Sequence, residues 1–145
     1  MKIDLELATT IRRPAGDVFA FLADPRNLPA WDRRVETAEV LGGDDLRVGS
    51  RVREVRKAGP RRVEQLVEVD RLDPPRRLSL RVLEGPVAIH ADFRVQPHGG
   101  GSRVVLRAHG TPSGPQLLAP LLRFGTRRVL GGHLERLTQV LEAEV

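Results

Sequence analysis

A chain of 145 residues has the usual length of one domain and is long enough to bury a core without staples, so we predict a single domain over 1–145. The absence of cysteine excludes disulfides, thiolate metal sites and a cysteine nucleophile, and it fits a reducing compartment. The formal net charge of +5 comes almost wholly from arginines that alternate with Asp and Glu and have no aromatic platform beside them, so nucleic-acid binding is not expected.

The N-terminal segment alternates charged and apolar residues and lacks the continuous apolar stretch of a signal peptide. No segment approaches the roughly 20 apolar residues of a membrane span. We therefore expect a cytoplasmic protein. Within this segment, Ile3, Leu5 and Leu7 fall on one face of a half-buried strand predicted over 2–11.

Two short helices are predicted after this strand. Pro14 suits the first position of a helix, and apolar residues follow at helical spacing as far as Leu22. The connection 25–31 is long enough for one further short turn of helix. It carries Trp31, the sole tryptophan, which either seals one end of a core or borders an opening into it.

From Val35 to about Thr111, the pattern is that of strands separated by Gly, Pro and Asp turns. Connections this short favour an antiparallel meander, because parallel strands need long crossovers. The predicted strands span 35–41, 49–57, 61–72, 76–83, 87–95 and 102–110.

The last part of the chain, 114–145, predicts one long helix whose apolar stripe includes Leu121, Val129 and Leu137. Pro115 opens a preceding turn if Pro120 marks the start of the regular helix. A seven-stranded sheet with one solvated face needs a long apolar element on its other face, and this helix is the candidate. The gap between such a sheet and the helix is a natural cavity.

The chain resembles the START-like, Bet v 1-like (SRPBCC) superfamily of helix-grip domains, and within it the bacterial polyketide cyclase/dehydrase and lipid-transport proteins. The resemblance implies an α+β helix-grip fold, in which a seven-stranded antiparallel sheet wraps around a long C-terminal helix and two short helices lie between strands 1 and 2. It also implies that Trp31 borders the cavity near its entrance, with Leu28 and Phe21 behind it. The matching stretches are RRPAGDVFAFLADPRNLPAWDRRV, VGSRVREVRK, VEVDRLDPPRRLSLRV, FRVQPHGGGSRVVLRAHG and LERLTQVLEAEV.

Strand alternation indicates which polar side chains face away from the cavity. His90, Asp92 and Arg94 fall in the outward phase of their strand, as does His109 in the next, and His98 falls in a turn. These three histidines are therefore predicted at the surface.

Three polar residues fall in apolar positions and are the candidate polar groups of the cavity. His133 lies on the stripe of the last helix beside Gly131-Gly132, and it is either a satisfied core or helix-flank histidine or a cavity donor. Glu54 and Gln65 stand in the apolar phase of their strands and would orient a ligand if they point inward. Alternatively, Glu54 pairs with an arginine such as Arg62 at the surface.

No metal-ligand spacing and no phosphate loop occurs, so neither a metal nor a cofactor is expected. The chain has no tyrosine, which excludes a mechanism based on a phenol and departs from the polar, aromatic cavities of aromatase/cyclases. The predicted ligand-binding residues are Phe21, Leu28, Trp31, Glu54, Gln65, Val67, Leu80, Ile89, Phe93, Leu106, Val129 and His133.

The leading interpretation is a protein that binds or carries a hydrophobic small molecule, such as a lipid, a polyketide-like compound or a quinone. The alternative is a polyketide cyclase/dehydratase that uses His133 and Glu54 as its acid–base pair. A third interpretation is a protein-interaction module that uses the basic convex face of the sheet. The oligomeric state, monomer or dimer, stays open.

Overall fold

One antiparallel sheet organises the residues that the computed structural model describes, which are 3–43, 45–85, 88–111 and 119–143. The order across the sheet is β1-β7-β6-β5-β4-β3-β2, so β1 joins the far edge of a six-stranded meander. The strands are β1 (Ile3–Ile11), β2 (Val35–Val40), β3 (Arg51–Ala58), β4 (Arg61–Asp73), β5 (Arg77–Glu84), β6 (Ala88–His98) and β7 (Gly101–Thr111).

The helices lie where the sequence predicts them. Between β1 and β2 the chain forms α1 (Ala15–Leu22), a short 3-10 turn (Pro25–Asn27) and α2 (Leu28–Trp31), and α3 (Ala119–Ala143) follows β7. The predicted α+β helix-grip fold, with its seven-stranded antiparallel sheet, two short helices and long C-terminal helix, is therefore confirmed.

The apolar stripe of α3 packs on the concave face of the sheet. Leu134, Leu137 and Leu141 are all buried and belong to a core cluster that also includes side chains of α1, α2 and the sheet. The end of the helix is attached to β1 by a hydrogen bond of 2.9 Å between the hydroxyls of Thr9 and Thr138. The described part of the stripe thus faces the sheet as predicted.

The beginning of the predicted helix is only partly covered by the described residues. The turn predicted at Pro115 lies outside the described residues, as does the side-chain placement of Leu121. The regular helix begins at Ala119, one residue before the predicted start at Pro120.

The hairpin between β6 and β7 turns on Gly99 and Gly100, whose φ angles of 53° and 85° favour glycine. Pairing continues to the turn itself, where His98 lies opposite Gly101. The prediction that His98 sits in a turn is therefore wrong, although its side chain is exposed. β6 can include Pro97 because β5 does not pair with that end of the strand, so no hydrogen bond is lost there.

Candidate functional site

A cavity of about 520 Å³ lies between the concave face of the sheet, α2 and α3. Small-molecule sites commonly measure about 300–1,000 Å³ and combine apolar walls with a few polar groups. Here the apolar part includes Leu28 of α2, Val67 and Phe93 of the sheet, and Val129 of α3. The sheet and α3 therefore leave between them the cavity that the sequence predicts.

The predicted ligand-binding residues border this cavity, with the exception of Phe21. Phe21 is partly buried and packs against the core cluster, because α1 turns Val18, Phe19 and Leu22 toward the interior. That the others contact a ligand stays a prediction. They are Leu28, Trp31, Glu54, Gln65, Val67, Leu80, Ile89, Phe93, Leu106, Val129 and His133.

Trp31 both seals the core and borders the cavity, so the two alternatives hold for one side chain. It is 6% exposed, and its ring lies edge-on to Phe93 at 6.1 Å and to His133 at 6.4 Å. Its Nε1 is buried and has no hydrogen-bond partner within the described part of the chain. A buried donor left unpaired costs roughly 1–3 kcal/mol. The ring borders the cavity, but its N–H is enclosed by the protein and has no surface open to the cavity.

Polar side chains on the same side form a network, which we call the polar cluster: Asp32, Glu54, Arg56, Gln65 and His133. Arg56 is central and donates to Oδ2 of Asp32 at 3.0 Å and to Oε1 of Glu54 at 2.7 Å. Nε2 of His133 lies 3.2 Å from Oδ1 of Asp32, and the amide of Gln65 donates to Oε1 of Glu54 at 3.3 Å. The side chains of Asp32 and Glu54 are only 7% and 8% exposed.

The strand geometry explains one half of the polar cluster. Glu54 and Arg56 are two residues apart on β3, so their side chains share a face of the sheet. Gln65 lies directly opposite Glu54 in the register of β3 and β4. Glu54 is buried and points toward the cavity, which is one of the two alternatives that the sequence leaves open. The alternative pairing of Glu54 with Arg62 does not form, because Arg62 faces the other side of the sheet and pairs with Glu36 at 2.7 Å.

The other half of the polar cluster, Asp32 and His133, comes from the end of α2 and the middle of α3. The backbone N–H of Asp32 donates to the carbonyl of Leu28 and ends α2, while the carboxylate of Asp32 accepts the backbone N–H of Arg34 at 3.1 Å. His133 reaches this carboxylate from α3 and is 15% exposed. It is thus a satisfied histidine and a group at the cavity at once. Asp32 and Arg56 are not among the residues predicted from the sequence, although Arg56 follows Glu54 in the inward phase of β3.

Burial and charge affect the two carboxyl groups of the polar cluster differently. Burial raises the pKa of Glu54, and the charge and hydrogen bond of Arg56 only partly oppose this rise. Burial would also raise the pKa of Asp32, but the hydrogen bond and charge of His133, together with Arg56, outweigh it and lower that pKa. Asp32 is therefore the more acidic of the two groups, and Glu54 is the group that gains a proton more readily.

On the convex face, the residues of the outward phase form ion pairs. Asp92 lies on the predicted face but is only 4% exposed. Oδ1 of Asp92 accepts from Arg77 at 2.8 Å and from the hydroxyl of Ser79 at 2.5 Å, and Oδ2 accepts from Arg94 at 3.1 Å. Burial would raise the pKa of Asp92, but these hydrogen bonds outweigh it and lower the pKa to about 2. We call Asp92, Arg77, Ser79 and Arg94 the convex cluster.

Two of the surface histidines also have acidic partners on the convex face. Nε2 of His90 lies 2.9 Å from Asp70, and Nδ1 of His109 lies 3.2 Å from Asp4. Among the residues that the structure describes, no group of three or more His, Asp or Glu side chains could hold a metal ion. No helix in the described ranges is long and apolar enough to cross a membrane.

The chain belongs to the family of polyketide cyclase / dehydrase and lipid transport proteins, because the model of that family matches residues 2–142. The resemblance on the sequence motifs is thereby confirmed. A search of curated proteins finds no match.

Solved structures of similar proteins share the fold. The Zhui aromatase/cyclase from Streptomyces sp. R1128 is 18% identical, with a TM-score of 0.80 over 98% of this chain and 94% of that chain. TTHA0849 from Thermus thermophilus is 25% identical, with a TM-score of 0.74 over 97% of this chain and 94% of that chain. Ara h 8.0201 is 12% identical, with a TM-score of 0.69 over 94% of this chain and 98% of that chain.

Proposed function

We propose that this member of the polyketide cyclase/dehydrase and lipid transport family binds a hydrophobic small molecule in its cavity and carries it without transforming it. The cavity of about 520 Å³ between sheet and α3 supports the proposal. A lipid, a polyketide-like compound and a quinone are all suitable ligands, because apolar walls select size more than identity.

Trp31 provides the direct test, because it is the sole tryptophan and borders the cavity. A flat polycyclic ligand should shift or quench its emission saturably, with a Kd of about 1 µM, which corresponds to about −8 kcal/mol. Native mass spectrometry of gently purified protein should in addition show a retained apolar molecule. The absence of both a retained molecule and saturable binding would exclude the carrier function.

The variant Trp31→Phe separates the two contributions of this ring. It keeps most of the apolar area, so the protein should stay folded while its affinity for a fluorescent polycyclic ligand falls. Phe21→Leu is the matched control, since Phe21 packs on the core without bordering the cavity. Unchanged affinity of Trp31→Phe together with a lower Tm would assign Trp31 to the core alone.

A cyclase/dehydratase is the second candidate, and one observation favours it. The predicted acid–base pair, His133 and Glu54, is linked through Asp32 and Arg56 on one side of the cavity. Asp32 orients Nε2 of His133 and leaves Nδ1 to accept a proton, while the raised pKa of Glu54 suits a proton donor.

Turnover of a polyketide-like substrate tests this second candidate. The wild-type protein should then release a cyclised or dehydrated product, and Glu54→Gln should abolish the product while the substrate still binds. If the wild-type protein binds the substrate stoichiometrically but releases no product, the cyclase/dehydratase candidate is excluded and the carrier function remains.

A further inference from the structure

We propose that the ligand presents an uncharged oxygen, as a hydroxyl or a ketone, to the polar cluster, and that the cluster rejects carboxylates and phosphates. This inference rests on the proposed function, because it specifies the chemical class of the ligand in the same cavity. It separates alcohols, phenols and quinone-like molecules from fatty acids and anionic lipids.

The balance of charges in the polar cluster is the first reason. Its one arginine, Arg56, is already neutralised by two buried carboxyl groups, Asp32 at 3.0 Å and Glu54 at 2.7 Å. An incoming carboxylate would be a third acidic group around a single guanidinium. Like charges at such distances repel strongly where water is excluded, so the anion would lose its hydration without gaining a free cation.

The other basic side chains at the cavity do not compensate. His133 directs its Nε2 at Asp32, 3.2 Å away. Arg81 is held by Glu68 at 2.6 Å and is 55% exposed, and Arg34 is exposed as well. Exposed charges are screened by water and salt, so they attract a buried anion only weakly.

One acceptor that remains unused in the polar cluster suits a neutral oxygen. Glu54 is held through Oε1 alone, by Arg56 and Gln65, which leaves Oε2 for a ligand. A hydroxyl donates to such a carboxylate oxygen without bringing a negative charge of its own.

The protonation of Glu54 supports the same conclusion. Burial raises the pKa of this carboxyl group, so it gains a proton more readily than an ordinary glutamate. In its neutral form it donates to a ketone, and in its ionised form it accepts from a hydroxyl. Neither form offers a positive charge to an anion.

Matched pyrene ligands test the inference. Pyrenebutanol, pyrenebutyrate and pyrenebutylamine share the ring and the chain and differ only in the terminal group. Near neutral pH, the alcohol should bind at least about tenfold more tightly than the acid. The affinity for the amine should lie between those for the alcohol and the acid, because the carboxyl groups of the polar cluster attract an ammonium. If burial alone set the affinities, it would weaken the binding of the ammonium and of the carboxylate alike.

The variant Glu54→Gln shows whether the polar cluster causes this preference. Removing one carboxylate should raise the affinity for pyrenebutyrate about tenfold relative to that for pyrenebutanol, so the preference for the alcohol should shrink in this variant. Glu39→Gln is the control, because Glu39 also pairs with an arginine, Arg53, but neither residue borders the cavity. Asp32→Asn gives a second measurement of the same kind if Glu54→Gln does not fold.

The possible outcomes distinguish a failure of the proposed function from a failure of this inference. If none of the three ligands binds to the wild-type protein, the proposed function is wrong. If the alcohol and the acid bind equally well, the function stands and the inference is overturned. The inference also fails if the preference for the alcohol is the same in wild type, Glu54→Gln and Asp32→Asn, because the preference then reflects burial in general.

Discussion

The two faces of the sheet each bury an acidic side chain against arginine, but in opposite proportions. In the convex cluster, the one carboxylate of Asp92 accepts from two arginines and a serine hydroxyl, and both of its oxygens are occupied. In the polar cluster, the one guanidinium of Arg56 serves two carboxyl groups.

This difference is the basis for proposing that the polar cluster, and not the convex cluster, contacts a ligand. A buried carboxylate with a full set of donors is stable as it stands and holds β5 and β6 together. In the polar cluster, Oε1 of Glu54 accepts from both Arg56 and Gln65, whereas Oε2 has no donor within the described part of the chain. Buried polar groups usually have partners, so this acceptor beside the cavity supports the proposal that a ligand contacts the polar cluster.

Removal of Arg56 should have the largest effect on stability. Arg56→Met leaves two buried carboxyl groups without their shared cation, and breaking a buried ion pair in this way costs about 3–5 kcal/mol. Denaturation with urea should show this loss. Arg53→Met removes an exposed partner of Glu39 and should cost only about 0–1 kcal/mol. Equal losses in the two variants would mean that the polar cluster is not a buried network.

Asp92→Asn should have the next largest effect and should depend on pH. The pKa of Asp92 is lowered from 3.8 to about 2, so its ionised form stabilises the folded state. A difference of this size contributes on the order of 2 kcal/mol. The contribution is complete above the ordinary pKa and disappears as the pH falls through about 2.

Denaturant titrations of wild type and Asp92→Asn over this acidic range test the prediction. The gap between their free energies of unfolding should close as Asp92 is protonated. Ligand affinity near neutral pH should stay unchanged, because Asp92 lies on the face opposite the cavity. A gap that does not vary with pH would contradict the lowered pKa.

The smallest expected effect on stability is that of Gly131→Ala in α3. A Cβ at Gly131 would meet nothing within 4 Å, so Gly131→Ala should stabilise the helix by about 1 kcal/mol. A Cβ at Gly101 of β7 would lie 2.5 Å from the backbone oxygen of Ile11. Gly101→Ala should therefore destabilise the protein by roughly 1–3 kcal/mol. Thermal unfolding of both variants measures the contrast, and a destabilised Gly131→Ala would show that the surroundings of Gly131 are closely packed.

Most of the architecture could be predicted from the sequence, because alternation and turn residues are local signals. The inward position of Glu54 and Gln65 follows from strand phase, and the position of His133 follows from helical spacing. The contact of Asp32 with Arg56 and His133 could not be predicted, because it depends on how the end of α2 meets β3 and α3 in space. Similarly, alternation assigns Asp92 to the convex face but does not show that arginines cover it.

The position of β1 at the sheet edge beside β7 has a consequence for the order of folding. β2 to β7 can pair as successive hairpins, but Ile3 of β1 meets Gly110 of β7, and Thr9 meets Thr138 of α3. β1 can therefore take its place in the sheet only after β7, which follows the other five strands, has been synthesised. Because the pairing joins segments that are far apart in the sequence, we expect the docking of β1 to be among the slower steps of folding.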